Sequence, residues 1–197
     1  AYVVSHKWLG LYWHYNLDLS YAMKAVMRNA SAKFAILSGL VVARMLPLCV
    51  VLKLFDALVE GCMRFGRWLY ATAPGAGSAL NDLYEKWARS LIGASPWRSW
   101  AVAFSELGWQ LTGEARAIID IASKRAYLWR LEPDIYQNVF IASHSRRGDT
   151  WAKRSASMLT EWGILDWPAW SHPESSLDEY KRYVRHVVSS RCHLAWR

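Results

Sequence analysis

Apolar residues recur at intervals of three and four along most of this chain, the spacing of one helix face. Met23, Val26, Met27, Ala30, Phe34, Leu37 and Val41 predict a helix from about Leu19 to Arg44, with Ser20 as its N-cap. Pro47 suits the first turn of a second helix, where a missing N–H costs nothing. Its apolar stripe is Val50, Leu54, Leu58, Cys62, Phe65 and Leu69, widened by Val51, Phe55 and Val59, as expected of a helix packed on more than one side. Residues 72–78 form a loop, and Ser78 is placed to cap a third helix carrying Leu80, Leu83, Tyr84, Trp87, Ala88 and Leu91 and ending near Gly93.

A short helical piece, Trp100 to Leu107, then ends at Gly108. Thr112 caps a longer helix through Leu131, and Pro133 breaks it and starts a segment to about Ser143. Asp149 is placed to cap a helix ending at Trp162-Gly163, and 164–173 reads as a Trp-rich connector. Ser176-Leu177-Asp178-Glu179 is a capping box that opens a last helix with Tyr180, Tyr183, Val184, Val187 and Val188 on it. Residues 2–15 differ from all of this. Tyr2, Val3, Val4, Trp8, Tyr12, Trp13 and Tyr15 surround Gly10, which predicts a strand or short hairpin. The expected fold is predominantly α: a small N-terminal β element, a three-helix bundle, then a second helical block after residue 95.

Composition narrows the possibilities. A chain of 197 residues with 53% apolar and 20% charged residues supports a packed core and excludes intrinsic disorder. The apolar region from Phe34 to Val59 is interrupted by Arg44, Pro47, Lys53 and Asp56, so it reads as two buried helices and no transmembrane segment is predicted. Cys49, Cys62 and Cys192 lie far apart, which excludes a disulfide framework and points to an intracellular, reducing compartment. The chain opens without an initiator methionine, as expected of a processed product or a piece of something longer.

Reactive constellations are missing from the sequence. It contains no G-x-x-x-x-G-K-[ST], no G-x-S-x-G and no H-E-x-x-H. The six histidines lack metal-ligand spacing, and no adjacent Asp pair is present to hold two metal ions. No catalytic residue, metal ligand or cofactor is predicted, and unaided catalysis is not expected.

The order of several short motifs carries a resemblance. His6-Lys7-Trp8-Leu9-Gly10-Leu11 resembles the "KYLG" strand after the catalytic palm of reverse transcriptases from LINE-type, non-LTR retrotransposons, with Trp8 in place of the usual Tyr. Leu46-Pro47-Leu48 and the helix ending Val59-Glu60-Gly61-Cys62-Met63-Arg64-Phe65-Gly66 are similar to the family's thumb segment. Trp87-Ala88-Arg89-Ser90-Leu91-Ile92-Gly93 is similar to the next thumb helix, and Glu106-Leu107-Gly108-Trp109-Gln110-Leu111 to the "ELGWLP" element that follows. The acidic metal-binding motif of the family is absent. So is its cysteine–histidine knuckle, apart from Cys192 and His193.

The resemblance implies a terminal palm-like strand element at 1–16, a thumb-like helical bundle at 17–95 and a C-terminal helical region at 96–197. It also implies a non-catalytic part of an RNA-directed DNA polymerase whose thumb grips the primer–template backbone. The residues expected to meet nucleic acid are Lys7 and Trp8 in the strand, with Trp8 the stacking candidate, then Tyr21, Lys24 and Arg28 on one helix face, and Lys33 farther along. The charge distribution agrees with that role. Residues 1–100 carry 11 Lys and Arg against 5 Asp and Glu, a balance of +6, and the remainder carries 13 against 11, or +2. The alternative is a structural or interaction subunit derived from such an element and docked in a larger protein assembly, with exposed tryptophans such as Trp97, Trp100, Trp167 and Trp170 among its contacts.

Overall fold

In a computed structural model of the chain, the residues described are 5–8, 11–14, 18–42, 45–131, 135–172 and 174–195. Helix dominates. Two four-residue strands, β1 (Ser5–Trp8) and β2 (Leu11–His14), pair antiparallel with Lys7 opposite Tyr12 and Trp8 opposite Leu11. The chain divides into two compact units, 1–114 and 115–197.

In the first unit, Asp18 starts helix α1 (Leu19–Val42). Its Oδ1 accepts the Ser20 N–H at 2.9 Å, so the cap falls on Asp18 and Ser20 lies inside the helix. The next helical stretch runs from α2 (Leu48–Leu54) through a π turn (Phe55–Glu60) into α3 (Gly61–Arg64). Pro47 sits immediately before α2, with φ −62° and ψ 146°, one position earlier than the sequence suggests. The stretch ends at Arg64 and does not continue to Leu69, because Gly66 takes a left-handed φ of +71° before the short α4 (Arg67–Tyr70).

The buried stripe of this stretch also differs from the expected one. Val51, Phe55, Val59 and Met63 face the core, whereas Val50, Leu58 and Phe65 are exposed. The π turn supplies the reason. In a straight α-helix each step of four residues drifts by about 40°, so three such steps would turn Met63 well away from Val51. In the π turn the Gly61 N–H reaches back five residues to the Asp56 carbonyl, and the wider turn keeps all four residues on one side.

Phe55 thereby reaches the centre of an aromatic core. Its ring lies 4.8 Å from Trp109, 5.7 Å from Trp87, 6.3 Å from Phe34 and 6.4 Å from Tyr84. Phe34 comes from α1, and Tyr84 and Trp87 come from α5 (Ala76–Leu91). Trp109 follows α6 (Trp100–Leu107), where Gly108 at φ +69° lets the Trp109 N–H turn back to the Phe104 carbonyl at 2.8 Å. Helix α5 begins at Ala76 after a left-handed Gly75, so Ser78 lies within the helix and does not cap it. Helix α6 packs on α5 and belongs to this first unit.

Two buried charges share that core. Arg67 Nη1 donates to Glu60 Oε1 at 2.9 Å and to the Tyr84 hydroxyl at 3.2 Å, and the Tyr84 hydroxyl donates to Glu60 Oε2. Glu60 is presented by the end of the π turn and Arg67 by the start of α4. Helix α7 (Gly113–Arg130) starts against α5, where the Glu114 N–H donates to Asn81 Oδ1 at 2.9 Å.

The second unit is organised by a single cation. Arg125, on α7 and fully buried, donates Nη1 to the Ala152 carbonyl at 2.6 Å and to Ser155 Oγ at 2.7 Å, both on α9 (Trp151–Glu161). Its Nε bonds both Asp166 oxygens at 3.2 Å, Nη2 bonds Asp166 again, and Nη2 meets His144 Nε2 of α8 (Ile135–Ser145) at 3.0 Å. His144 Nδ1 faces the Phe140 carbonyl at 3.0 Å. A guanidinium only donates and a carbonyl only accepts, so this geometry fits a neutral ring protonated at Nδ1. Asp166 also caps α10 (Trp167–Trp170), a short helix within the expected connector. Thr150 caps α9, its Oγ1 accepting the Lys153 N–H, while Asp149 pairs with Arg154 at 3.3 Å instead of capping.

The last helix, α11 (Leu177–Ala195), opens with the expected capping box: Ser176 N–H to Glu179 Oε2 at 2.8 Å and Glu179 N–H to Ser176 Oγ at 3.2 Å. Its Tyr180 hydroxyl donates to the Leu165 carbonyl at 2.9 Å. Burial first, and the Asp166 carboxylate second, push that phenol well above its ordinary range.

Three tests follow from this packing. A Cβ on Gly113 would lie 2.5 Å from the Leu80 carbonyl oxygen, a backbone atom, whereas one on Gly39 in exposed α1 meets nothing within 4 Å. Thermal or urea unfolding should show Gly113→Ala losing about 2–3 kcal/mol and Gly39→Ala gaining about 0.5–1 kcal/mol. Glu60→Leu removes the carboxylate that pairs with the buried Arg67 cation and should cost about 3–5 kcal/mol, much of it recovered when Arg67→Met and Tyr84→Phe are added. The bonds from Ser176 hold the Glu179 carboxyl below its usual range. The capping interaction is therefore present above the unfolded glutamate value and fades as pH falls through the folded one. A carboxyl NMR titration should show Glu179 moving only part of the way up toward an ordinary glutamate in Ser176→Ala, because the backbone N–H at 176, the larger cause, remains.

Candidate nucleic-acid interface

Helix α1 buries one side, Ala22, Met23, Ala25, Val26, Ala30, Phe34 and Leu37, and this fixes what its other side presents. Tyr21, Lys24 and Arg28 fall on the outward side at spacings of three and four, and all are exposed. Among the described residues, no hydrogen bond or carboxylate engages Lys24 or Arg28. The structure therefore brings together three of the six residues expected to meet nucleic acid.

Lys33 stands apart. At about 100° per residue it lies roughly 140° around the helix from Arg28, and its Nζ donates to the Leu58 carbonyl at 3.5 Å. Lys7 is exposed on β1. The Trp8 backbone lies opposite Leu11, and its side chain falls outside the described residues.

The downstream cations are more often engaged. Arg154 pairs with Asp149, Lys181 pairs with Asp178 at 3.4 Å, and Lys153 Nζ donates to the Arg146 carbonyl at 2.6 Å. Arg125 is a structural hub, and Arg191 lies over the Trp162 ring while donating to the Glu161 carbonyl. Most of the unit's basic excess is thus committed to its own surface or core.

The tryptophans divide similarly. Trp87, Trp109 and Trp167 are buried, Trp170 stacks on Tyr183 at 5.7 Å, and Trp100 packs edge-on against Phe104 at 5.5 Å. Trp97, between α5 and α6, is almost fully exposed and is the member of the expected contact set most open to a partner. All three cysteines are free thiols. Among the described residues no three His, Cys, Asp or Glu side chains gather where they would hold a metal ion.

Sequence reasoning missed one further surface, the exposed apolar side of the helical stretch after Pro47. Its signal was present in the doubled apolar stripe, which was assigned wholly to burial. The chain matches no protein-family model, no curated protein and no solved structure.

Proposed function

We propose that this chain is the thumb and C-terminal part of a reverse-transcriptase-like protein of the LINE-type, non-LTR class. It is non-catalytic by itself, and α1 grips the backbone of a primer–template. The observation carrying the reading is the pair Lys24 and Arg28 on one exposed side of α1, with no carboxylate to neutralise them among the described residues. Cations held on a rigid helix, one turn apart, meet successive phosphates without reading bases, so binding is sequence-tolerant and falls steeply with salt. Tyr21 adds a ring at the N-terminal end of the same side, suited to contact with a sugar or an unpaired base. The palm-like β element and the thumb-like arrangement of the helices after it belong to this reading, as does the order of motifs from Lys7 to Leu111.

The second reading is an interaction subunit docked in a larger assembly. Exposed Trp97 and the exposed apolar residues around α2 favour it.

Titration of labelled RNA–DNA hybrid across a salt series separates the two. The wild-type chain should bind several unrelated sequences alike. Lys24→Gln with Arg28→Gln should flatten the slope of log affinity against log salt by about two, at roughly 0.9 per phosphate contact. Arg154→Gln, whose partner is Asp149, should leave the slope unchanged. Absence of hybrid binding at low salt removes the nucleic-acid reading.

A further inference from the structure

The helical stretch from Leu48 to Arg64 is apolar on two sides, and the first unit uses only one of them. Val51, Phe55, Val59 and Met63 are fully buried, while Leu48 and Val50 are exposed, Leu58 is 46% exposed and Phe65 is 53% exposed. Helix α1 shows the same excess toward its C-terminal end, where Ile36 is 68% and Val42 81% exposed, with Met45 exposed just beyond. Ile36 and Leu58 share one surface, whereas Val42, nine residues and about 180° around α1 from Lys33, faces away from it. The Lys33–Leu58 bond sets the flank of α1 against the π turn, and Ile36 stands one turn on from Lys33 along that flank. Single exposed apolar residues are ordinary, but several on two elements that meet, as Ile36, Leu58 and Phe65 are, mark a binding face.

The charges beside it are of one main sign. Lys33, Lys53 and Arg64 are exposed along these elements, against the single exposed carboxylate of Asp56, because Glu60 is buried with Arg67. We propose that this face lies on an anionic phospholipid bilayer. The apolar side chains enter the boundary between headgroups and acyl chains, and the cations meet the headgroup phosphates. Nucleic acid would satisfy the cations and leave Ile36, Leu58 and Phe65 in water. A second copy joined by a two-fold axis would set the same cations against each other. By length and composition α1 passes for a membrane span. With Met23, Val26, Ala30, Phe34 and Leu37 packed in the core, it lies on the bilayer instead of crossing it.

Vesicle flotation with the full chain tests this surface. Phosphatidylcholine–phosphatidylserine vesicles should carry the chain upward, vesicles of phosphatidylcholine alone should not, and added salt should release it. Ile36→Glu with Leu58→Glu should weaken vesicle binding at least about tenfold while the circular dichroism and the salt slope for RNA–DNA hybrid stay those of the wild type. Lys53→Glu should weaken binding to the anionic vesicles and lower its salt sensitivity. Four outcomes overturn the proposal: no flotation, equal flotation with both vesicle types, an apolar-face variant that dissociates a dimer of the chain without altering flotation, or one that weakens hybrid binding as much as vesicle binding. Only the last also bears on the nucleic-acid reading, so failure here and failure there are distinguishable.

Discussion

The first unit depends on one backbone irregularity, the π turn at Phe55–Glu60. A regular α-helix would bring Val51 and Phe55 inward and carry Val59, Glu60 and Met63 progressively around toward solvent. Widening a single turn keeps the four-residue series on one side and delivers Phe55 into the ring cluster formed by Phe34, Tyr84, Trp87 and Trp109. The same turn carries Glu60 inward to Arg67 and Tyr84. An aromatic cluster and a buried ion pair thus have one geometric cause. The other consequence lies outside: Leu58 and its apolar neighbours Val50 and Phe65, rotated away from the core, are left exposed among the described residues.

Each unit buries a guanidinium, and each satisfies it differently. Arg67 is met by a carboxylate and a phenol that are themselves hydrogen-bonded together, so losing one member loosens the hold on the other two. Arg125 is met by backbone, hydroxyl, imidazole and carboxylate groups from α8, α9 and the start of α10. Such networks seldom add net stability over an apolar core of equal volume, because desolvation offsets the attraction. What they impose is position. The five donors of a planar guanidinium fix α8, α9 and α10 relative to α7 more narrowly than apolar packing would.

Much of the helical framework was legible in the sequence because apolar spacing and terminal signals agreed there. The Ser176–Glu179 box, the Gly108 stop and the Trp162-Gly163 end all follow from short-range chemistry. The errors have specific causes. Asp18 stands two residues before Ser20, and Asp149 directly before Thr150, so two capping residues competed and spacing alone did not choose between them. The stripe after Pro47 was displaced by one position because both adjacent stripes are apolar and the π turn has no sequence mark. Arg125 looked like any helix cation, since Ser155 and Asp166 lie 30 and 41 residues away along the chain. Of the nucleic-acid candidates, Tyr21, Lys24 and Arg28 were legible as a group because helix periodicity alone decides their side. Lys33 was not, since its contact with Leu58 depends on how two helices pack.

Helix α1 carries both outward surfaces, and they are separated along its length. Tyr21, Lys24 and Arg28 occupy its first half, and from Ala32 through Ala35, Ile36 and Gly39 to Val42 the exposed residues are small or apolar except for Lys33. At 1.5 Å per residue, Arg28 and Ile36 are about 12 Å apart along the axis, more than one Debye length at physiological salt. A polyanion at the first half and an apolar or lipid surface at the second therefore neither compete for the same side chains nor screen one another strongly. The buried side of α1, anchored by Phe34 on Trp87 at 5.4 Å, is what makes the two separable, because it holds the helix rigid between them.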